Sequence, residues 1–274
     1  AYTNGVQEGE TAGRKAESVA KHFLGFHNSQ GGIHGANCDI PERLLNEVYG
    51  KPFQASISEA NLRGIMPCYS SINGEPLSSS HKMLTGLLRE EMGFDGVCAA
   101  DYGAVGNVFH VQKVGESVTE AGLMCMEAGM DVEMQNCVGF NEELKEWFRS
   151  GRANMEILDR AVRRILEAKF RMGIFEHPYA LENEALQEAF YRKEDEGILL
   201  RAALESLILL KNNGVLPFNP NGRKIAVVGC HAQNARCFFG GYTHISMMEA
   251  VHAVANSIAG MKAGSVEGRE MITV

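Results

Sequence analysis

From residue 16 to 175, short apolar runs rich in small and β-branched residues alternate with segments of helical period. That alternation predicts βα units around a parallel sheet. Strands are expected at 17–24, 64–69, 96–101 and 129–134, where Val, Ile, Met, Cys and Ala cluster between turn-forming residues. The helices have readable ends. Ser80 is a candidate cap for a helix with Met83, Leu84, Leu87, Leu88 and Met92 on one face, and Gly93 supplies a left-handed stop. Asn154 likewise begins a helix expected to bury Leu158, Ala161, Val162, Ile165 and Leu166, ending at Gly173. Its Arg160, Arg163, Arg164, Lys169 and Arg171 read as a solvated face that complements the helix C-terminus.

The rhythm breaks at 177–195, an acidic stretch read as a linker. The organisation expected is thus a first domain over 1–176, the linker, and the truncated beginning of a second domain over 196–274. The second part shows a helix through Leu199, Ala202, Ala203 and Leu210, a buried strand at 224–229 and a helix from about Ser246 to Ala259. One strand and two helices cannot bury a self-sufficient core.

Composition adds exclusions. Of 274 residues, 45% are hydrophobic and 22% charged, which removes disordered and fibrous classes. The formal net charge of −8 disfavours nucleic acid and anionic lipid as partners, and no apolar run approaches the roughly 20 residues of a membrane-spanning helix. Seven Cys, without a C-x-x-C pair, argue against a disulfide framework and a thiolate zinc site, and for reduced thiols in the cytoplasm.

Four expected strands end in polar residues: Lys21-His22, Tyr69, Asp101-Tyr102 and Asp131/Glu133. In α/β barrels, catalytic groups converge from strand C-terminal ends. Asp101 follows Val97-Cys98-Ala99-Ala100 directly, so its carboxylate leaves a buried strand at the mouth of the sheet; a helix cap or loop hydrogen bond is the competing role. A cation and an imidazole at Lys21-His22 suit sugar hydroxyls, and the cation favours ionised carboxylates nearby. His27 and His34 lack a carboxylate at metal-ligand spacing, so no metal and no cofactor is expected. The loop glycines fit neither G-x-G-x-x-G nor a Walker loop, and no G-x-S-x-G elbow occurs.

Ordered stretches along residues 17 to 245 carry a resemblance: Lys21-His22-Phe23, Pro52-Phe53, Met66-Pro67-Cys68-Tyr69-Ser70-Ser71-Ile72-Asn73-Gly74-Glu75-Pro76, Glu90-Glu91-Met92-Gly93-Phe94-Asp95-Gly96, Ala100-Asp101-Tyr102, Ala128-Gly129-Met130-Asp131-Val132-Glu133-Met134 and Leu209-Leu210-Lys211-Asn212-Asn213. The sequence resembles glycoside hydrolase family 3, in its bacterial two-domain β-glucosidase type. The resemblance implies an α/β fold, the C-terminal half of a TIM-like (β/α)8 barrel followed by the start of an α/β sandwich domain. It implies a retaining hydrolase that releases β-D-glucose from non-reducing ends, with Asp101 as nucleophile and Lys21, His22, Met66, Tyr69 and Tyr102 lining the sugar subsite. β-Xylosidase is the near alternative, and a non-catalytic fragment lacking the acid/base Glu is another. Partners implied are a small β-linked oligosaccharide or aryl glucoside, the enzyme's own flanking segments, and a possible second copy of the same chain. Since a complete barrel needs about 250 residues, the resemblance places an Asp and an Arg of the subsite before Ala1 and the acid/base Glu after Val274. The 274 residues alone are expected to be inactive.

Overall fold

The computed structural model describes residues 1–11, 14–190, 192–219, 221–222 and 224–249. Two compact units divide the chain, Ala1–Asp195 and Glu196–Val274.

The first unit is α/β. Besides two small antiparallel ribbons it has a three-stranded parallel sheet, with β1 (Val19–Phe23), β2 (Gly64–Pro67) and β3 (Val97–Cys98) in the order β1-β2-β3. The register pairs Lys21 with Met66 and Ile65 with Cys98. Each connection carries helix, as parallel neighbours require: α1 (Lys51–Ala60) lies between β1 and β2, and α2 (Lys82–Glu91), a wide-wound π-helix, between β2 and β3. After β3 come α3 (Ala104–His110), α4 (Val118–Ala128), α5 (Glu142–Arg149) and α6 (Met155–Arg171).

The fourth expected strand, 129–134, is reduced to a single parallel bridge between Ala99 and Val132. Local chemistry accounts for the loss. Cys98 O accepts from the backbone N–H of both Asp131 and Val132, but the Cys98 N–H donates to the Asp131 side chain at 2.9 Å instead of to a strand carbonyl. A regular ladder therefore stops where it would begin.

The caps are local and fall where the sequence puts them. Ser80 Oγ accepts from Met83 N at the start of α2 (3.2 Å), and Gly93 follows in the left-handed region at φ 75°. Asn154 accepts from Glu156 N at the start of α6, and Gly173 stands at φ 68°.

Leu84 and Leu88 of α2, Val105 of α3, and Ala121 and Cys125 of α4 bury with Phe23, Leu24, Ile65 and Cys98 in one cluster. A second cluster joins Met126, Leu144, Trp147, Phe148 and Ala161. Cys38, Cys68, Cys98 and Cys125 are buried free thiols, whereas Cys137, Cys230 and Cys237 are exposed. Burial pushes the Cys68 thiol up to about 11, which keeps it protonated and inert.

Helix α6 departs from its expected faces. Val162 and Leu166 are exposed; with Ile165 they line an open cleft of about 550 Å³ beside Met126, Leu144 and Phe148. Of the helix only Ala161 and Ala168 are buried. The basic face is not simply solvated. Arg160 donates to Met126 O (2.7 Å), Arg164 to Asp131 (2.9 Å) and Arg171 to Glu17 (3.2 Å).

Within 177–195 a helix spans Asn183–Phe190. In the second unit, a helix spans Glu196–Glu205 and stops short of Leu210. The strand expected at 224–229 is absent among the described residues. Ile225, Val227 and Val228 are 60%, 73% and 85% exposed, and a strand with no neighbour to pair with gains neither ladder bonds nor burial. The helix expected from Ser246 is helical as far as residue 249, and its remainder lies outside the described residues.

Candidate active site

The site is assembled where β1, β2 and β3 end. Beyond β3 the buried Ala100 leads into Asp101, whose carbonyl accepts from Ala104 N at 3.0 Å, so the chain turns at once into α3. Gly103 makes that turn at φ 73°, a backbone conformation that side-chain-bearing residues avoid. The carboxylate is thus held between a rigid strand and a helix start.

One carboxylate oxygen has a backbone donor and the other faces an imidazole nitrogen. Tyr102 N donates to Asp101 Oδ1 at 2.7 Å, and His22 Nε2 lies 3.3 Å from Oδ2. The two side chains are only 22% and 15% exposed. Burial holds the imidazole below its ordinary proton affinity; Asp101 opposes this, while Lys21 and His34 reinforce it.

Tyr69, from the segment after β2, donates its phenolic hydroxyl to Tyr102 O at 2.8 Å. Its backbone carbonyl accepts from Gln112 Nε2 at 3.0 Å. A run of rings closes the other side: His22 meets Phe26 at 5.1 Å, Phe26 meets His34 at 5.3 Å, and His34 meets Tyr69 edge-on at 4.9 Å. His34, Tyr69, Tyr102 and Asn107 line a cleft of about 450 Å³. Tyr102 itself is 54% exposed, an aromatic surface open to a ligand.

Of the residues singled out from sequence, His22, Asp101, Tyr69 and Tyr102 are brought into one contact network. Lys21 and Met66 stand side by side in the β1–β2 register, Lys21 exposed and Met66 half-buried. Lys21 reaches the site through its charge on His22, and its side chain also borders a cleft with Tyr2 and Phe53. Asp131 and Glu133 do not join. The Asp131 side chain is buried under Arg89 (2.8 Å) and Arg164 (2.9 Å), and Glu133 accepts from the backbone of Gly139 and Phe140. Both are structural. Phe26 and Gln112 carry no signal in the sequence, and His34 is weighed there only as a metal ligand. Among the described residues, no group of three or more His, Cys, Asp or Glu side chains is arranged to hold a metal.

Fold and site together define an α/β protein with a carboxylate-centred site, walled by imidazole and phenol groups, on the C-terminal edge of a parallel sheet. Residues 1–168 match the family described as glycosyl hydrolase family 3 N terminal domain, and the chain belongs to that family. It is similar to a β-xylosidase of Formosa agariphila, 34% identical over 236 residues that cover 82% of this chain and 32% of the relative. It is also similar to a β-glucosidase of Rhizobium radiobacter, 32% identical over 265 residues, covering 96% of this chain and 29% of the relative. Among solved structures, the β-glucosidase of Listeria innocua superposes with a TM-score of 0.68 at 30% identity, covering 74% of this chain and 28% of that one. The chain therefore spans about a third of the length of these relatives.

Proposed function

We propose that this chain carries the nucleophile of a retaining β-glucosidase that releases glucose from the non-reducing ends of β-glucosides. In this reading β1 to β3 belong to a (β/α)8 barrel, and the residues after the linker begin a second α/β domain. The observation that carries the reading is the Asp101 carboxylate, fixed on the C-terminal edge of the sheet by Tyr102 N–H and His22. An Asp Oδ so held is pre-aimed and spends little on reorganisation at the moment of attack.

The reaction has two steps. An Asp101 oxygen bonds to the anomeric carbon as the bond to the leaving oxygen breaks, and a general acid protonates that oxygen. Water then attacks the glycosyl ester, giving its proton back to the same acid/base group and freeing Asp101. In the family type that the sequence resembles, the acid/base group is a Glu of the second domain. Lys21, His22, Met66, Tyr69 and Tyr102 supply donors and apolar surface for the sugar. The similar Listeria innocua enzyme has been solved with glucose, which supports a sugar ligand for this site.

A β-xylosidase is the second reading, favoured by the Formosa agariphila relative's activity. Hexose and pentose differ by one hydroxymethyl, worth only about 1–3 kcal/mol of discrimination. Hydrolysis of 4-nitrophenyl β-glucoside and β-xyloside by the full-length protein decides between them, and no turnover of either rejects the glycosidase reading. Asp101→Asn should cost on the order of 10³-fold or more in kcat with the fold intact. A 2-deoxy-2-fluoroglucoside should label Asp101. Near-normal turnover by a folded Asp101→Asn protein, or label on Asp131 or Glu133, removes Asp101 from this role.

A further inference from the structure

We propose that Gln112 is a positioning residue: its side-chain amide clamps Tyr69 against the segment that carries Asp101. The functional half of this inference rests on the glycosidase reading above.

Gln112 lies just beyond α3, the helix that opens directly after Asp101, Tyr102 and Gly103. Its backbone N–H donates to Asn107 O at 2.8 Å and closes that helix. Its half-buried side chain reaches 43 residues back along the chain, where Nε2 donates to Tyr69 O at 3.0 Å and also approaches Ser71 Oγ at 3.4 Å. From the other direction, the Tyr69 hydroxyl donates to Tyr102 O. Tyr69 is therefore gripped at both ends by one continuous segment, its main chain by Gln112 and its phenol by Tyr102. The loop closes on itself through Asp101.

The residue after Gln112 supports a fixed geometry here. Lys113 has φ 60°, in the left-handed region that non-glycine residues seldom occupy. Val114 N then donates to Val108 O, so the reversal is tied back onto α3. The amide is presented to Tyr69 O by a bonded turn and not by a free tail.

The consequence lies in where the ring sits. Tyr69 lines the cleft beside Tyr102, and its ring packs on His34. Releasing its backbone carbonyl lets ring and hydroxyl move relative to Asp101, and small displacements of a group facing the reacting centre are costly in rate. Gln112 also borders this cleft, so its action through Tyr69 is the part that a Tyr69→Ala background isolates.

The test uses the full-length protein, with Gln112→Met replacing the amide by an apolar chain of similar length. Loss of one such hydrogen bond predicts roughly a three- to tenfold fall in kcat/KM on an aryl β-glycoside. In a Tyr69→Ala background, where there is no ring to place, the same change should cost less than twofold. Equal losses in both backgrounds, or an unchanged kcat/KM in the Tyr69 parent, overturn the proposal. A second readout is independent of turnover. In protein labelled with 3-fluorotyrosine, the Tyr69 resonance, identified by its loss in Tyr69→Phe, should shift and broaden in Gln112→Met. An unmoved Tyr69 signal overturns the clamp. A moved signal in a protein that cleaves neither glucoside nor xyloside keeps the clamp and rejects the glycosidase reading instead.

Discussion

Asp131 is the residue whose replacement should most damage the first unit, although its position at the end of an expected strand reads as part of the site. Its side chain is 1% exposed and serves three donors: Arg89 Nη2 at 2.8 Å, Arg164 Nη1 at 2.9 Å and the Cys98 N–H at 2.9 Å. Arg89 is itself 8% exposed and reaches on to the carbonyls of Gly96 and Gly129. Burial lowers the proton affinity of Arg89, with Asp131 opposing that effect. Asp131→Ala would therefore strand a buried guanidinium and a buried backbone donor together. Breaking one partner out of a buried pair costs about 3–5 kcal/mol, and an orphaned N–H adds about 1–3 kcal/mol, part of it shared with the first term. Against a total stability of roughly 5–15 kcal/mol, such a change brings the unit close to unfolding. Asp131→Asn keeps one acceptor and should cost less. Arg164→Ala should cost least, because that guanidinium is 18% exposed and water can reach its place. Urea unfolding followed through Trp147, the chain's single tryptophan and a member of the second core cluster, would rank the three. Turnover per folded molecule should stay near wild type in Asp131→Asn. A variant that melts normally but has lost turnover would refute the assignment of Asp131 to structure and return it to the chemistry.

Two further predictions follow from the same geometry. His22 titrates below its ordinary value of 6.5 because it is buried, so as pH falls the unfolded chain takes up this proton before the folded one does. Its contribution to stability is complete above pH 6.5, falls as pH drops through 6.5 and levels off once the folded imidazole is charged. His22→Gln should flatten that part of the urea-midpoint profile between pH 7 and pH 5, and superimposable wild-type and variant slopes would count against it. Among glycines, Gly96→Ala should cost more than Gly103→Ala in a thermal melt. A Cβ on Gly96 would lie 2.0 Å from Arg63 O, the acceptor of Val97 N, which forces β3 away from β2 at about 1–3 kcal/mol or more. A Cβ on Gly103 meets nothing within 4 Å and pays only the left-handed backbone, about 1–2 kcal/mol. The reverse order would show that the β2–β3 approach is not tight.

What was legible in the sequence depended on range. Ser80, Gly93, Asn154 and Gly173 act on groups within a few residues, and each is found in its expected part. Asp101 was legible for the same reason, since the apolar run before it already defines a strand and its exit. The roles of Asp131 and Glu133 were not. The guanidiniums that claim Asp131 sit 42 and 33 residues away, and nothing in the local pattern separates a strand-end carboxylate aimed at substrate from one aimed at a buried arginine. The strand at 224–229 failed differently: its residues have the right propensity, but propensity without a paired neighbour does not hold a strand. The faces of α6 were misjudged because period alone says which residues share a side, not whether a neighbouring element covers that side: Val162 and Leu166 line an open cleft.

The two long-range networks meet on one short strand. Cys98 ends β3, and its N–H is tied to Asp131, which Arg89 and Arg164 hold in place. Three residues later Asp101 leaves the strand, accepts from Tyr102 N–H and lies 3.3 Å from His22 Nε2, with Tyr69 and Gln112 closing the ring behind it. Asp101 is thus located from both directions along the chain, by a buried ion network before it and a hydrogen-bonded clamp after it. A carboxylate placed this way does not have to find its position when a ligand arrives. The buried arginines support the site through β3 without touching its chemistry, which is why damage to Asp131 should appear in the melt and damage to Gln112 in the rate.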